Sequence, residues 1–293
     1  MEFYDKLLTV WQSRHIATSA ELAAEMNGNG ISFIYHNGKL ENSQITYHDT
    51  REIFDRGGVT SYTGDVRTLF EIQNLCAGYR RFLEAFGKHE PLTDIFIKEL
   101  HGILTQGTYD THRYEIGERP GTYKQHDFVT GKEEVGALPE DVPQEMAELL
   151  DELRDVSDEN ALTAAAYFHA KLENIHPFAD GNGRVGRLLM NYILVRHNHP
   201  PITVFEEDRR DYYAALEQFD QNLELEPLIS FLRRQCEKSW EHYLTRQIAR
   251  EQRDGFSTGA AMEKRLNTAK TEADQRNAAR PNRQLEDRSM ELD

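Results

Sequence analysis

Residues 176–187 read His-Pro-Phe-Ala-Asp-Gly-Asn-Gly-Arg-Val-Gly-Arg and lie between two stretches with helical apolar spacing. The first stretch covers residues 161–175 and ends just before Pro177, which cannot continue a helix. The second covers residues 185–195. Residues 181–183, Gly-Asn-Gly, favour a tight turn, because glycine reaches positive φ at no steric cost. The sequence therefore predicts two helices joined by a short polar loop.

The polar groups around this turn suit a phosphate. Residues 181–183 can direct successive backbone N–H groups inward as a nest for an anion, and the following helix N-terminus adds unpaired N–H donors. Arg184 and Arg187 are three residues apart and so share one face of the first helical turn. Their guanidinium groups match the geometry of phosphate oxygens.

Two further side chains point to phosphate-transfer chemistry. Asp180 is a hard oxygen ligand, suited to a Mg²⁺ ion that also bridges phosphates. His176 is the one group of the stretch that can act as a general base near neutral pH. Each feature alone is usually structural, but a base, a metal ligand, a nest and two arginines within one short stretch indicate a phosphate-transfer site.

The stretch resembles the signature of the Fic family (filamentation induced by cyclic AMP), His-Pro-Phe-x-Asp/Glu-Gly-Asn-Gly-Arg-x-x-Arg. The resemblance covers roughly residues 30–245 and implies an all-α fold, a helical bundle with a short β-hairpin called the flap. It also implies an enzyme, a protein adenylyltransferase (AMPylator) that transfers AMP from Mg-ATP to a Tyr, Thr or Ser hydroxyl of a target protein. All nine defined positions are matched, by His176, Pro177, Phe178, Asp180, Gly181, Asn182, Gly183, Arg184 and Arg187.

The resemblance also implies roles for these residues. His176 would deprotonate the target hydroxyl, and Asp180 would hold Mg²⁺ or Mn²⁺. Residues 181–183 would cradle the phosphates of ATP, the co-substrate. Arg184 would neutralise charge on the α- and β-phosphates, and Arg187 would grip the γ-phosphate. The reaction would be an in-line displacement at the α-phosphorus, in which pyrophosphate leaves.

Apolar spacing predicts helices over most of the chain, and one segment departs from it. Residues 121–131 are bounded by glycines and rich in β-favouring residues, which predicts a short hairpin. The resemblance makes this hairpin the flap, at which a target protein would dock as an added strand. The predicted helices lie at about 3–14, 66–86, 91–105, 140–154, 159–174, 183–197, 208–222 and 226–248.

A second, shorter motif lies near the N-terminus. Many Fic proteins carry an inhibitory helix, Ser/Thr-x-x-x-Glu-Gly/Asn, and residues 35–46 resemble its N-terminal version, with Glu41 as the inhibitory glutamate. Asn37 stands where serine or threonine is expected, which weakens the match. Glu41 paired with Arg187 would remove the guanidinium that the γ-phosphate needs. The alternative is an ordinary exposed helical glutamate.

Composition and patterning give expectations for the domains, the partners and the location of the protein. We expect N-terminal helices with the inhibitory segment in residues 1–65, the catalytic core in 66–250, and in 251–293 a charged tail that is mobile or a loosely docked helix. The net charge of −16 argues against a nucleic-acid partner. The chain shows neither a leader peptide nor a membrane-spanning run, which predicts a cytoplasmic protein with no membrane partner. Cys76 and Cys236 are expected to be reduced, buried thiols, and a homodimer remains open.

Several alternative functions remain open. A bifunctional enzyme would also remove AMP, with Glu41 activating water. The donor could be another nucleotide, because the signature contacts only the phosphates. A silent Fic fold acting as a binding module is disfavoured by the intact His176, Asp180 and Arg187. The related Doc-like kinases have lysine at the position of Gly183, so phosphorylation is disfavoured as well.

Overall fold

The computed structural model describes residues 3–26, 29–128, 136–255 and 259–278. Within these ranges the chain forms helices and no strand, and the all-α prediction is confirmed. The helices are α1 Phe3–Gln12, α2 Ser19–Glu25, α3 Asn29–Lys39, α4 Tyr47–Arg56, α5 Val66–Gly87, α6 Asp94–Leu104, α7 Thr111–Glu115, α8 Val142–Glu152, α9 Ala161–Ile175, α10 Asn182–Arg196, a 3₁₀ turn Glu206–Asp208, α11 Arg209–Asn222, α12 Glu226–Gly255 and α13 Gly259–Ala278.

Apolar spacing located α1, α5, α6 and α8 to α12, and it missed α3, α13 and short helices such as α2 and α4. These two are defined by their caps. Thr18 and Glu21 form a reciprocal capping box at the start of α2. The Thr46 side chain accepts from the backbone at the start of α4, and Gly57 ends that helix with a φ of 79°. Helices of two or three turns contain too few apolar positions to show a clear period.

The predicted hairpin at 121–131 is not formed in the part of that segment that the structure describes. The chain there makes turns and bends, and the last three residues of the segment lie outside the described ranges. The backbone N–H groups donate elsewhere: that of Lys124 to the Pro177 carbonyl at 2.9 Å, and that of Gln125 to a Glu118 carboxylate oxygen at 2.9 Å. Tertiary partners therefore override the β-propensity of this stretch.

Helix α10 is the centre of the bundle. It packs against α9, α5, α6 and α3, and every residue from Arg184 to Val195 is buried. Gly186 allows α9 to approach closely, because a Cβ at this position would lie 2.6 Å from Nδ1 of His169. A helix that is buried all round and carries two arginines must supply both with partners, and those partners make up the site.

The chain divides into two compact units, Met1–Glu241 and His242–Asp293. In the second unit, residues 266–275 of α13 are exposed, and the domain boundary near residue 250 stays a prediction. Cys76 and Cys236 are buried and unpaired in the described part of the chain. Among the described helices, none combines the length and the apolar character that crossing a bilayer requires.

Candidate active site

The signature loop joins α9 to α10 and has a left-handed residue at each end. His176 caps α9 with φ 50° and ψ 61°, and its N–H donates to the Leu172 carbonyl at 2.9 Å. Gly181 caps α10 with a φ of 88°. Glycine adopts this conformation freely, whereas a histidine is held in it at a cost of order 1–2 kcal/mol. The strained position orients the one basic side chain of the loop.

Asn182 braces the loop. Its side-chain Nδ2 donates to the Phe178 carbonyl at 2.8 Å, and the Phe178 N–H donates to its Oδ1 at 2.9 Å. The side chain is buried, and both its oxygen and its nitrogen bond to the backbone of Phe178. The first-turn backbone N–H groups of α10 are available to an anion, because they have no helical carbonyl to which they can donate.

Asp180 lies between two guanidinium groups. Arg184 Nη2 donates to its Oδ1 at 2.8 Å, and Arg67 Nη2 donates to its Oδ2 at 2.9 Å. Burial opposes ionisation of this carboxyl, but the positive charges of Arg184 and Arg67 prevail and hold the pKa of Asp180 below its ordinary value. The residue is therefore an anionic oxygen ligand at neutral pH.

Arg184 has two N–H positions without a partner. Its side chain is 3% exposed, and neither Nε nor Nη1 makes a hydrogen bond within the described residues. Buried unpaired donors are rare in proteins and usually mark the place of an ion, water or ligand. Because these donors lie on the first turn of α10, they form a positively charged, preformed binding site for an anion.

Each of the three guanidinium nitrogens of Arg187 donates to a protein group. Its Nε donates to Asn37 Oδ1 at 2.8 Å, and its Nη2 donates to the Asn37 carbonyl at 3.1 Å. Nη2 also donates to Glu41 Oε1 at 2.7 Å, and Nη1 donates to the Tyr212 hydroxyl at 3.3 Å. The contact between Glu41 and Arg187 that the sequence suggested is present, and Glu41 lies in the turn just after α3.

Asn37 compensates for its departure from the inhibitory motif. The residue is 2% exposed and accepts two hydrogen bonds from Arg187, one at its side chain and one at its backbone. Its Nδ2 also lies 3.4 Å from the Arg184 carbonyl, to which it donates. Asparagine thus supplies the polar contact at the position where serine or threonine was expected.

Gly183 lets Glu41 reach Arg187 across the first turn of α10. A Cβ at this position would lie 2.5 Å from Glu41 Oε1 and 2.8 Å from Arg187 Nη1. Real Cβ atoms do not approach other atoms that closely, so any larger residue would displace the pair. The lysine that Doc-like kinases have at this position would therefore be incompatible with the contact between Glu41 and Arg187.

His176 is neutral at pH 7. Burial is the main cause and the nearby positive charge of Lys124 adds to it, so that the pKa of the imidazole falls to about 4. The described ends of the 121–137 segment flank this residue. The Lys124 N–H donates to the Pro177 carbonyl and the Ala137 N–H donates to the Ile175 carbonyl, each at 2.9 Å. The segment is thus fastened to the chain on both sides of the histidine.

Tyr212 is a site residue that the sequence did not single out. It lies on α11 and is fully buried; its hydroxyl accepts from Arg187 and lies 2.6 Å from His169 Nε2. The two groups share a hydrogen bond, and the phenol ring stacks on the imidazole at an interplanar angle of 10°. The residue looked like an ordinary core aromatic in the sequence, and only the fold brings it to Arg187.

His101 holds the signature loop from the side of α6. Its Nδ1 accepts from the Gly121 N–H at 2.8 Å, and its Nε2 donates to the Asp180 carbonyl at 2.9 Å. The ring stacks on Phe178, with centroids 3.8 Å apart. These partners require the neutral Nε2–H tautomer, in agreement with burial, which lowers the pKa of His101 to about 4.

The buried histidines predict loss of stability in mild acid. Burial lowers the pKa of His101 and His176 to about 4 and that of His169 to about 3, below the unfolded value of about 6.5. The unfolded chain therefore binds more protons below pH 6.5, which weakens folding by about 1–2 kcal/mol per histidine between pH 7 and 5. Burial raises the pKa of Glu173 to about 8, so this carboxyl favours folding as the pH falls from 7 to 5. It is a single group against three histidines.

We expect the melting temperature to be lower at pH 5 than at pH 7, by an amount on the order of 5 °C. Thermal melts followed by circular dichroism at pH 7, 6 and 5 measure this shift. An unchanged or higher melting temperature at pH 5 would show that these histidines are not held neutral.

Comparison with known proteins agrees with the geometry. Residues 91–194 match the Fic/DOC family. A protein adenylyltransferase Fic from Nematostella vectensis is 31% identical over 220 residues, which cover 72% of this chain and 48% of that protein. The protein adenylyltransferase fic-1 from Caenorhabditis briggsae is 29% identical over 236 residues, which cover 78% and 44%. The chain spans about half the length of these curated relatives.

Solved structures show the same fold. A Fic domain containing signaling protein from Bacteroides thetaiotaomicron superposes with a TM-score of 0.70 at 27% identity, covering 82% of this chain and 95% of that one. Fic-1 from C. elegans superposes with a TM-score of 0.67 at 25% identity, covering 84% and 73%. The fold and the signature loop define a Fic domain, and the chain belongs to the Fic/DOC family.

Proposed function

We propose that this protein is a protein adenylyltransferase, which transfers AMP from ATP to a hydroxyl side chain of a target protein. The observation that carries the proposal is the buried Arg184 guanidinium at the N-terminus of α10, whose Nε and Nη1 atoms have no partner among the described residues. It provides an anion site beside the neutral His176. The relatives named protein adenylyltransferase support this choice of chemistry.

In the proposed reaction His176 takes the proton of the target hydroxyl, whose oxygen forms a bond to the α-phosphorus of ATP. The bond from that phosphorus to the bridging oxygen breaks, and pyrophosphate leaves with its negative charge. Arg184 and the first-turn N–H groups of α10 offset charge on the phosphates. A neutral imidazole can accept the proton at any pH well above 4, so His176 is in the required form at pH 7.

The donor set fits a divalent cation shared with phosphates. The described residues contain no cluster of three or more histidine, cysteine or acidic side chains that could hold a metal alone. Mg²⁺ is commonly held by one or two carboxylates together with the substrate phosphates, and Asp180 is an ionised carboxylate at the anion site. When bound, Mg²⁺ or Mn²⁺ would neutralise charge on the phosphates.

Asp180→Ala is expected to lower transfer at least about a hundredfold, because the cation's share in stabilising the phosphate charge is worth several kcal/mol. Initial rates with ATP at increasing Mg²⁺ or Mn²⁺ measure the effect. Asp151→Ala, which removes an exposed carboxylate on α8, is the matched control and should leave the rates unchanged. Full wild-type activity in EDTA would refute the assignment of Asp180.

The segment that follows Gly121 is the proposed docking place of the target. Its bonds to Pro177 and Ile175 place its described ends on both sides of His176. A target peptide that binds along this segment would bring its hydroxyl to the base.

Removal of AMP is a second candidate activity, favoured by the position of Glu41. This carboxylate reaches the site, 2.7 Å from Arg187 Nη2, and its side chain is 34% exposed, so water has access to it. Glu41→Gln should then fail to release AMP from a target modified beforehand, while wild type releases it. Equal release by both proteins would exclude this role of Glu41.

Incubation with ATP labelled at the α-phosphate, in parallel with ATP labelled at the γ-phosphate, tests the main proposal. Label from the α-position alone, on the protein itself or on a protein of a cell lysate, is the expected result. Label from the γ-position would indicate a kinase, and ATP binding without labelling would indicate a silent binding module. Parallel reactions with labelled GTP, CTP and UTP test for another nucleotide, and mass spectrometry identifies the modified residue.

A further inference from the structure

A continuous series of hydrogen-bonded side chains connects the inhibitory segment to Asp180. Asn42, the neighbour of Glu41, donates from Nδ2 to Glu71 Oε2 at 2.7 Å. Arg67 donates from Nε to the other oxygen of Glu71, Oε1, at 3.0 Å. The Nη2 group of Arg67 donates to Asp180 Oδ2 at 2.9 Å. Neither Arg67 nor Glu71 belongs to the signature or to the inhibitory motif.

Glu71 is the central residue of this series of hydrogen bonds. Its side chain is 7% exposed, and one oxygen serves Arg67 while the other serves Asn42. Arg67 and Glu71 are four residues apart on α5, the spacing at which helical side chains meet. Asn42 Nδ2 is additionally bonded to the hydroxyl of Thr68, a buried residue, at 2.9 Å. The inhibitory segment thus helps to hold Glu71 where it aims Arg67 at Asp180.

Both carboxylate oxygens of Asp180 are occupied by guanidinium groups. Each oxygen accepts one hydrogen bond and keeps a further lone pair, but the two positive charges oppose a cation at this carboxylate, so a cation binds more strongly once one guanidinium group withdraws. Arg184 is 3% exposed and fixed on the first turn of α10, whereas the Arg67 side chain is 42% exposed. Arg67 can move into water at a much smaller free-energy cost, so it is the group that gives way.

We propose that Arg67 is a positioning residue that occupies the metal-binding oxygen of Asp180 when no cation is bound, and that Asn42 and Glu71 stabilise it there. The inference rests on the proposed function, because it presupposes that a metal–ATP complex binds at Asp180. By this reading the inhibitory segment acts on two parts of the site through adjacent residues. Glu41 engages Arg187 directly, and Asn42 engages Asp180 through Glu71 and Arg67.

Binding measurements in a His176→Ala background, in which transfer is blocked, test the inference without using activity. The dissociation constant of ATP is measured calorimetrically with Mg²⁺ and again with EDTA. Arg67→Met should tighten binding of Mg-ATP about fivefold, as expected for loss of a half-exposed ion pair. Binding in EDTA should change less than about twofold, because Arg67 competes with the cation and not with the phosphates.

Asn42→Ala and the double variant separate this role from a purely structural one. Asn42→Ala should shift Mg-ATP binding in the same direction and by less, and the double variant should bind no tighter than Arg67→Met, because Asn42 acts through Arg67. Arg51→Met, which removes an exposed arginine paired with Asp55 on α4, is the control and should bind as the background does.

Three results would overturn the inference. The first is unchanged Mg-ATP binding in Arg67→Met. The second is weaker binding both with Mg²⁺ and in EDTA, which would make Arg67 a phosphate ligand. The third is ATP binding to none of the proteins under either condition, which would also refute the proposed function. The first two leave the proposed function standing, so the two failures are distinguishable.

Discussion

Replacement of His176 by alanine is expected to abolish AMP transfer, with a loss of at least about a hundred- to ten-thousandfold, the usual contribution of a general base. ATP affinity should stay within a few-fold of wild type, because a base acts in the transition state and contributes little to holding phosphates. Single-turnover transfer from α-labelled ATP and calorimetric ATP binding measure the two quantities separately.

His89→Ala is the matched control for this experiment. His89 is also a non-glycine residue at positive φ, 52°, and it is exposed at the end of α5, far along the chain from the signature. Its variant should therefore retain full activity. A His176→Ala protein that transfers AMP at a near-wild-type rate would remove the histidine from its proposed role.

Replacement of Glu41 by glycine is expected to raise transfer about ten- to a hundredfold, corresponding to roughly 1.5–3 kcal/mol for a charge-assisted hydrogen bond. The physical reason is competition for Arg187, whose Nη2 group the carboxylate occupies at 2.7 Å. Asn37 keeps two further hydrogen bonds to this arginine, which places the expected gain nearer the lower end. Initial rates at saturating ATP on the same substrate measure the change.

Arg187 variants provide the internal control. Arg187→Ala should not reproduce the activation, because it removes the anchor of Glu41 and the proposed ligand of the γ-phosphate together. The double variant should be as poor as Arg187→Ala alone, the non-additivity expected of residues that share one contact. Equal rates for wild type and Glu41→Gly would show that the turn after α3 has no inhibitory role.

The partners of Arg187 come from two separate parts of the chain. Asn37 and Glu41 both belong to the N-terminal segment, whereas Tyr212 comes from α11 and is backed by His169 on α9. Neither the Tyr212 bond nor the two Asn37 bonds involves the Glu41 carboxylate, so all three can persist when Glu41 is replaced. A phosphate that replaces Glu41 would therefore meet an arginine that is already oriented.

The sequence alone determined the fold class and which residues of the signature lie together in the candidate site. Helical periodicity is a local property, and the signature is one contiguous stretch whose glycines, histidine, aspartate and arginines need only two helix ends to come together. The contact between Glu41 and Arg187 could be predicted from the resemblance, although the match is incomplete at Asn37, and the inhibitory role stays a prediction. The prediction of a hairpin at 121–131 was wrong for the part that the structure describes. The N–H groups of Lys124 and Gln125 donate to acceptors outside the segment and not to a paired strand.

Only the tertiary structure decided how distant residues complete the site. Arg67 lies 113 positions from Asp180, and Asn37 lies 150 positions from Arg187. An arginine, an asparagine or a tyrosine on an amphipathic helix looks the same whether it faces water, the core or a ligand. Its role is set by which side chains the packing of α3, α5, α10 and α11 brings within hydrogen-bond distance, and no local pattern encodes that packing.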